Sequence, residues 1–549
     1  MVGKILNSKA RTITLAAFLV GGATLISGLL GVLKLRLLAG RFDVGFTLDS
    51  YFSAFRVPDF IAVAFMTGGV VVSFLPLFSQ NFQKDEKKAW QLANNMVNIS
   101  LVVFVLFSIL IWFFAPQLVG VIAPGFEGAQ QELTVSLTRI MLISPLIFAL
   151  SGVFSGILQH FDRFLAYALA PIFYNIGIIF GILVLTNFFE ETKMIYGVAW
   201  GVVIGAFLHL LIQIPPAIKA GYRYQFIFNI KDLELIKILK LILPRMISQA
   251  SIQINLIVIT AIASLMAAGS VAVFNFARNL YLFPVAVFGV SFAIAAFPSF
   301  SRSLANGRNE EFITNFFSTF RRIIFVMIPL SIMIFLLRAQ IVRVILGTGE
   351  FGWTETRLTA AALGVFALGM VFTSLLPLMV RAFFSFQNTK TPALTSLLSV
   401  FFNIALSCFF VFGIQKDSFF YSLISPALRL TNIEDIRVVA LVLAVSLATI
   451  FQFFLLVYFL KKEMKFSFLR KIGPSVIKIM SASVVMALAS YLALRLALFF
   501  VQLTTFWAVL FQASFTLVIG VAIYLAILYL LDAREVKTFT SFLVSKIKK

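Results

Sequence analysis

Apolar residues run through this chain in long blocks, separated by short polar segments rich in Lys, Arg, Gly and Pro. A helix needs about 20 mostly apolar residues to cross the hydrocarbon core of a bilayer. Fourteen blocks reach that length, near 12–38, 47–79, 89–114, 134–159, 165–188, 195–218, 236–267, 269–300, 313–346, 356–386, 392–414, 437–461, 473–501 and 505–531. The pattern predicts an all-α polytopic membrane protein with fourteen transmembrane helices. Several blocks exceed about 25 residues, which predicts tilt, kinks or amphipathic extensions.

The polar breaks alternate in charge. One set holds KDEKK (84–88), HFDR (160–163), KAGYRYQFIFNIKD (219–232), SRSLANGRNEE (301–311), QNTKT (387–391) and KKEMKFSFLRK (461–471). The other holds PGFEGAQQE (124–132), FFEETK (188–193), GTGEFGWTE (347–355) and the long 415–437 segment. The first set carries most of the Lys and Arg, so it is predicted to face the cytoplasm together with both termini. An even number of spans agrees with two cytoplasmic ends. The N-terminal stretch has the basic start and apolar run of a signal peptide. It lacks a convincing cleavage site and flows into further spans, so it reads as a retained first helix.

Sliding the chain by 222 positions lays SFLPLFSQ (73–80) on AAFPSFSR (295–302) and Arg56 on Arg278. Farther on, Phe126 pairs with Phe351 and FYNI (173–176) with FFNI (401–404), at slowly growing offsets. Such drift predicts two related halves separated by small insertions. Six spans separate the copies, so both have the same orientation: two six-helix lobes related by a pseudo-twofold axis along the membrane normal, around a central cavity. The expected divisions are 1–220, 221–465 and, for the two extra C-terminal helices, 466–549.

Composition narrows the function. Of 549 residues 61% are hydrophobic and 12% charged, with a mean hydropathy of +1.03, which excludes a soluble domain. The net charge of +22 is scattered through loops and termini, a bilayer topology rather than a nucleic-acid surface. Cys408 is the single cysteine, and His160 and His209 have no Cys or acid at metal spacing. Phosphate-binding loops, nucleophile–base sets and paired carboxylates are all lacking. The expectation is a non-enzymatic, secondary or facilitative transporter with no metal and no cofactor.

Charges within the spans are one-sided. Only Asp49 and Asp59 among the acids fall inside a block, whereas Lys34, Arg36, Arg56, Arg245, Arg278, Arg381 and Arg495 lie within or near block ends. Buried ionisable groups face a cavity or a partner. Too few acids pair these cations, so an anion from outside is predicted, with the repeat-related Arg56 and Arg278 first. A guanidinium presents a planar fork of donors that suits phosphate. Simpler readings stand beside this. Arg56 can pair locally with Asp49 or Asp59, Lys34, Arg36, Arg381 and Arg245 can snorkel to headgroups, and Arg495 can contact a lipid phosphate. Pro58, Gly68 and Gly69 in the second block, and Pro284 and Gly289 in the eighth, are the expected hinges.

These residues carry a resemblance. FRVPDF…FLPLFSQ (55–80), APGF (123–126), SGILQHFDRFLAYALAPIFYNIGII (155–179) and GVAWGVVIGAFLHLLIQIP (197–215) are its first part. QINL (253–256), ARNLYLFPVAVFGVSFAIAAFPSFSR (277–302), IVRVILGTGEF (341–351) and RAFFSFQNTKTPALTSLLSVFFNIAL (381–406) complete it. The chain resembles the MurJ (MviN) family of lipid II flippases, within the multidrug/oligosaccharidyl-lipid/polysaccharide exporter superfamily. The resemblance implies a fourteen-span fold in the bacterial inner membrane. It implies movement of undecaprenyl-diphosphate-linked disaccharide-pentapeptide to the outer leaflet for peptidoglycan synthesis, with the lipid tail in a groove along the last two spans. It also admits cell-wall synthesis proteins as partners.

The chain departs from the family's charged positions. Gly28 stands where the first span usually has its first arginine, Lys34 at the second, and Leu35 at the acid. Ala62 and Val63 replace an arginine pair, and Thr67 a glutamate. Asn279 holds the arginine position of the eighth span with Arg278 at the acid, and Ile259 stands where an acid is common in the seventh. Lys34, Arg36, Arg56, Arg278 and Asn279 are therefore the expected diphosphate contacts. Three alternatives remain: a flippase for another polyprenyl-diphosphate oligosaccharide, a drug or cation exporter of the superfamily, and a non-transporting cell-wall scaffold.

Overall fold

The structure, a computed structural model, describes the backbone of residues 13–65, 71–413, 421–422, 425–426, 428–464 and 468–533. It describes their side chains apart from those of 13–19, 64–65, 71–72, 241, 243–251 and 468–471. The described residues are mostly helical, joined by turns and a few longer irregular segments, with no strand among them. Twelve helices among them are long and apolar enough to cross a membrane. The two other expected spans, 47–79 and 236–267, run through residues outside that description, so the count of fourteen stands as approximate.

The chain divides into two compact units, residues 1–272 and 273–549. The first unit holds α1 (Ile13–Arg41), α2 (Phe46–Ala54), α3 (Arg56–Phe65), α4 (Val71–Lys84), α5 (Glu86–Ile122), α6 (Gly128–Met141), α7 (Ile143–His160), α8 (Phe164–Leu183), α9 (Ile195–Leu211) and α10 (Leu233–Ser264). It ends in the first turn of α11 (Ser270–Pro284). The expected second span is therefore segmented, with a break at Phe55. Pro58 fits that break: it has no N–H for the Ala54 carbonyl four residues back, and the Thr138 hydroxyl lies 3.4 Å from that carbonyl instead. Pro58 itself sits in the first turn of α3, a position that tolerates proline.

Local chemistry sets the boundaries. Asp85 begins α5 by accepting hydrogen bonds from the backbone N–H groups of Lys87 (3.0 Å) and Lys88 (3.2 Å), satisfying two of the donors a helix start leaves orphaned. Asp232 begins α10 the same way, through Glu234 N–H at 2.9 Å. Small residues let α8 and α9 approach closely. A Cβ on Gly177 would lie 2.3 Å from the Gly205 Cα, and one on Gly181 2.6 Å from the Gly201 Cα. Lipid tails are as apolar as leucine, so close backbone packing of this kind is what associates helices in a membrane. Gly201→Val is expected to cost about 2–3 kcal/mol by overpacking this contact, read as a fall in the thermal unfolding midpoint of the purified protein in detergent. An unchanged midpoint would mean that the two helices separate at no cost.

The second unit holds the rest of α11, then α12 (Ser291–Ala305), α13 (Asn309–Ile345), α14 (Trp353–Ser385), α15 (Lys390–Gly413), α16 (Arg437–Met464), α17 (Phe468–Ala497) and α18 (Phe506–Leu530). The last two helices dock on α13. Tyr524 donates to the Phe325 carbonyl at 2.7 Å, Gln340 to Gln512 at 3.0 Å, and Arg343 to the Leu503 carbonyl at 3.1 Å.

The repeat recurs in the elements. Helix α5 spans 86–122 and α13 spans 309–345, both 37 residues at a shift of 223. The pair α6–α7 runs 128–160 and α14 runs 353–385, a shift of 225. Even a turn repeats at that shift. Asp162 and Gln387 both have φ near +60° (56° and 59°). In both turns the following residue bonds back to a helix carbonyl, Arg163 N–H to Leu158 and Asn388 N–H to Phe383. Phe78 and Phe300, equivalent at the shift of 222, are both fully buried.

Candidate functional site

Polar groups gather in the first unit. Arg56 opens α3 and is only 5% exposed. Its Nε donates to Thr260 Oγ1 of α10 at 2.7 Å, and that hydroxyl donates in turn to the Leu256 carbonyl at 2.8 Å. Packing of α10 against α3 brings the two together. Asp59, one turn beyond Arg56, is half-buried, and its charge acts on Lys34 of α1, Tyr51 of α2 and Tyr174 of α8. Lys34 and Arg36 are both half-buried on α1. Beside them Asn175 of α8 donates to the Ser27 hydroxyl at 3.1 Å and to its carbonyl at 3.2 Å. The first unit thus holds one buried cation bonded to a hydroxyl and a second cation in the field of Asp59.

Asp49 has a task of its own. Its carboxylate accepts the backbone N–H groups of Gly269 and Ala272, each at 2.7 Å. It thus caps the start of α11 from 220 residues away, where a carboxylate is favoured by the exposed donors and the helix dipole. Gly269 has a φ of +90°, and a Cβ there would lie 2.5 Å from the Val44 carbonyl oxygen. Nearby, Gly125 N–H donates to Ser264 Oγ at 3.1 Å. The turns around 42–45, 123–127 and 264–270 therefore meet. Those around 79–88, 160–163 and 217–225 meet separately, through Ser79 to His160 at 2.9 Å and Asn94 to Arg223 at 3.0 Å. The second group joins 84–88, 160–163 and 219–232, three polar breaks of the basic set, whereas 124–132 is the one break of the other set in the first group.

In the second unit Arg278 is half-buried on α11, and its charge acts on Tyr281 one turn later. Tyr281 stacks on Phe366 with centroids 4.3 Å apart. Asn279 turns its amide back to its own helix, donating to the Asn275 carbonyl at 2.8 Å. After Pro284 the hydrogen-bond ladder widens into a π-helical stretch, Val285–Val290. A proline supplies no N–H to the turn before it, and such insertions are a recognised cause of helix bending. Gly289 lies within that stretch against Ser374, whose Cβ would be 2.7 Å from an added Cβ; the residue is a packing contact. Gly68 and Gly69 lie outside the described residues, as does the side chain of Arg245. Arg495 is exposed at the end of α17 and bonds the Tyr491 hydroxyl at 3.1 Å. The Arg381 side chain is half-buried, with a 3.5 Å contact to the Pro377 carbonyl.

Sequence reading missed Thr260, Tyr51 and Tyr174. Hydroxyls in apolar helices are too common to stand out, and only the long-range packing of α10 on α3 singles out Thr260. Both histidines are engaged in the fold. Ser79 lies 2.9 Å from one imidazole, and Ser151 2.7 Å from the other.

The chain is similar to known proteins over most of its length. A probable lipid II flippase MurJ of Buchnera aphidicola subsp. Schizaphis graminum is 30% identical over 403 residues, covering 72% of this chain and 78% of that protein. A probable lipid II flippase MurJ of Rhizobium tropici is 29% identical, covering 71% and 74%. Among solved structures, a lipid II flippase MurJ in an inward closed conformation has the same fold, with a TM-score of 0.73 at 23% identity, covering 93% of this chain and 98% of that one. An inward-facing multidrug resistance MATE family transporter of the MOP superfamily follows at a TM-score of 0.64 and 16% identity, covering 82% and 98%. The family described as lipid II flippase MurJ matches residues 38–515, and the chain belongs to that family.

Proposed function

We propose that this protein moves lipid II, the undecaprenyl-diphosphate-linked disaccharide-pentapeptide, from the cytoplasmic to the outer leaflet of the inner membrane, by alternating access and with both termini in the cytoplasm. The family match over most of the chain carries the reading. In the first unit Arg56 and Lys34 are the groups that take up diphosphate charge, with Arg36 on the same helix. In the second unit the equivalent position is Arg278, with Asn279 beside it. The π-helical stretch after Pro284 supplies bending, and α17 and α18, docked on α13, form the surface for the lipid tail, with Arg495 available to a lipid phosphate. No step requires bond making or breaking, and the protein is not an enzyme.

One observation favours a second reading. Gly28, Ala62 and Val63 replace three of the family's usual arginines, and a site poorer in cations suits a different polyprenyl-diphosphate oligosaccharide. Complementation separates the two. Expressed in a strain depleted of its own lipid II flippase, the protein is expected to restore growth and cell shape. Full-length protein that reaches the membrane and fails to rescue would move the assignment to the second cargo.

A further inference from the structure

Between α9 and α10, residues 222–231 run as a strap with no helix or strand of their own, irregular over 222–229 and closing in a turn at 230–231. Three asparagines on two successive turns of α5, Asn94 and Asn95 on one and Asn98 on the next, hold it by its backbone. Asn94 donates to the Arg223 carbonyl (3.0 Å) and accepts Gln225 N–H (3.0 Å). Asn98 donates to the carbonyls of Gln225 (3.2 Å) and Ile227 (3.0 Å). Asn95 donates to the Asn229 carbonyl (2.9 Å) and accepts its N–H (2.8 Å). All three asparagines are buried. Their amides replace the neighbouring strand that an extended backbone ordinarily needs. Arg163 fixes the strap's entry by donating to the carbonyls of Pro216 and Lys219.

From 223 to 229 only odd-numbered residues use their backbone groups toward α5, so the side chains there alternate between two faces; Tyr222, just before them, is buried against Trp90. The odd face looks toward the start of α5. Arg223 and Gln225 line a cavity of about 360 Å³ with Glu86, Lys87, Trp90 and Gly221. The even face looks the other way, because the Tyr224 hydroxyl donates to Asn98 at 2.9 Å, farther along α5. That even row is Tyr224, Phe226, Phe228 and Ile230, which are 61%, 78%, 43% and 63% exposed. Single exposed apolar side chains are ordinary on a protein surface, whereas a row in register is not. Three residues beyond Asn98 the lipid-facing band of α5 begins, with Leu101, Val102, Val103 and Leu106 all exposed. At a helical rise of about 1.5 Å per residue that is about 5 Å along the axis, the depth of the headgroup boundary.

We propose that the 222–231 strap is a membrane-surface anchor. Tyr224, Phe226, Phe228 and Ile230 enter the cytoplasmic leaflet at the headgroup boundary. Arg223 and Lys231, with Lys87 and Lys219 exposed nearby, engage anionic phospholipid headgroups. The occupant follows from continuity with the apolar band of α5 and from the basic flank. The asparagine ladder holds the strap at one height, and thereby fixes how deep this end of the first unit sits.

The chain's single cysteine makes the test direct. In full-length protein carrying Cys408→Ser, single cysteines are placed at 226, 228 and 225, labelled with a nitroxide, and reconstituted into vesicles of phosphatidylglycerol and phosphatidylcholine. Positions 226 and 228 should collide with oxygen several-fold more than with an aqueous nickel complex, and 225 should show the reverse. Replacing phosphatidylglycerol by phosphatidylcholine should make 226 shallower, and Arg223→Gln with Lys231→Gln should remove that dependence. Equal access of nickel to 225, 226 and 228 would leave the apolar row in the cytoplasm, open to a protein partner, and overturn the anchor. Protection of 226 and 228 from both reagents would mean that protein covers them, and would overturn it equally. A depth independent of phosphatidylglycerol would overturn the headgroup assignment.

Discussion

Arg56→Met is expected to lower lipid II translocation by at least about tenfold, equivalent to about 1.4 kcal/mol of lost stabilisation of the anionic cargo, while the protein stays folded. The two halves of that expectation have separate causes. Arg56 is 5% exposed and its Nε is fixed by Thr260 Oγ1. A charge held there carries a desolvation cost, which an arriving anion offsets in part. Methionine keeps much of the volume and removes that cost, while the bond to Thr260 is given up. Transport is therefore expected to fall by more than stability. Arg56→Lys keeps the charge but loses the planar fork, so it should retain part of the activity. Thr260→Val frees Nε without removing charge and should fall between wild type and Arg56→Met. The checks are flipping of a fluorescent lipid II analogue in proteoliposomes and thermal unfolding of the same preparations. Wild-type flipping by Arg56→Met would remove Arg56 from the cargo site. A variant that unfolds and flips poorly would make Arg56 a structural ion instead.

The membrane class, the helix lengths and the internal repeat were legible because they rest on patterns summed over many residues. Apolar blocks mark spans whatever their neighbours, and the 222 to 225 shifts seen in single letters return as helices of equal length. The segmentation of the second span was legible in part. Proline signals a break in the turn before it, and the chain breaks at Phe55, with Pro58 in the first turn of the next helix. The bonds of Asp49 to amides 220 and 223 residues away were not legible either. Helical spacing reports which residues share a face, and it carries nothing about a distant helix start that competes for the same carboxylate. The asparagine ladder lies between these cases. Three asparagines within NNMVN (94–98) are a polar cluster at the edge of an apolar block. Their partners are backbone groups, which leave no trace in the sequence.

Asp49→Ala should be the most destabilising single change at the turns where 42–45, 123–127 and 264–270 meet. It leaves the N–H groups of Gly269 and Ala272 without their acceptor in a region that water does not reach; both bonds are 2.7 Å long. Hydrogen bonds to a charged group contribute about 1.5–3 kcal/mol each, and a carboxylate at a helix start adds a favourable dipole interaction. The loss on Asp49→Ala is thus expected at about 3 kcal/mol. Asp49→Asn keeps one acceptor oxygen and turns an NH₂ toward the other amide, so about half of that loss should remain. Gly269→Ala tests the same junction from the opposite side, because its φ of +90° and the Val44 carbonyl 2.5 Å from an added Cβ leave no room for a side chain. Its effect should not add to that of Asp49→Ala, since both changes release the same contact. Thermal unfolding in detergent of the two single variants and the double variant measures this directly. Full additivity would mean that the carboxylate and the glycine hold separate parts of the structure, and an unchanged midpoint for Asp49→Ala would mean that the start of α11 is capped by something other than Asp49.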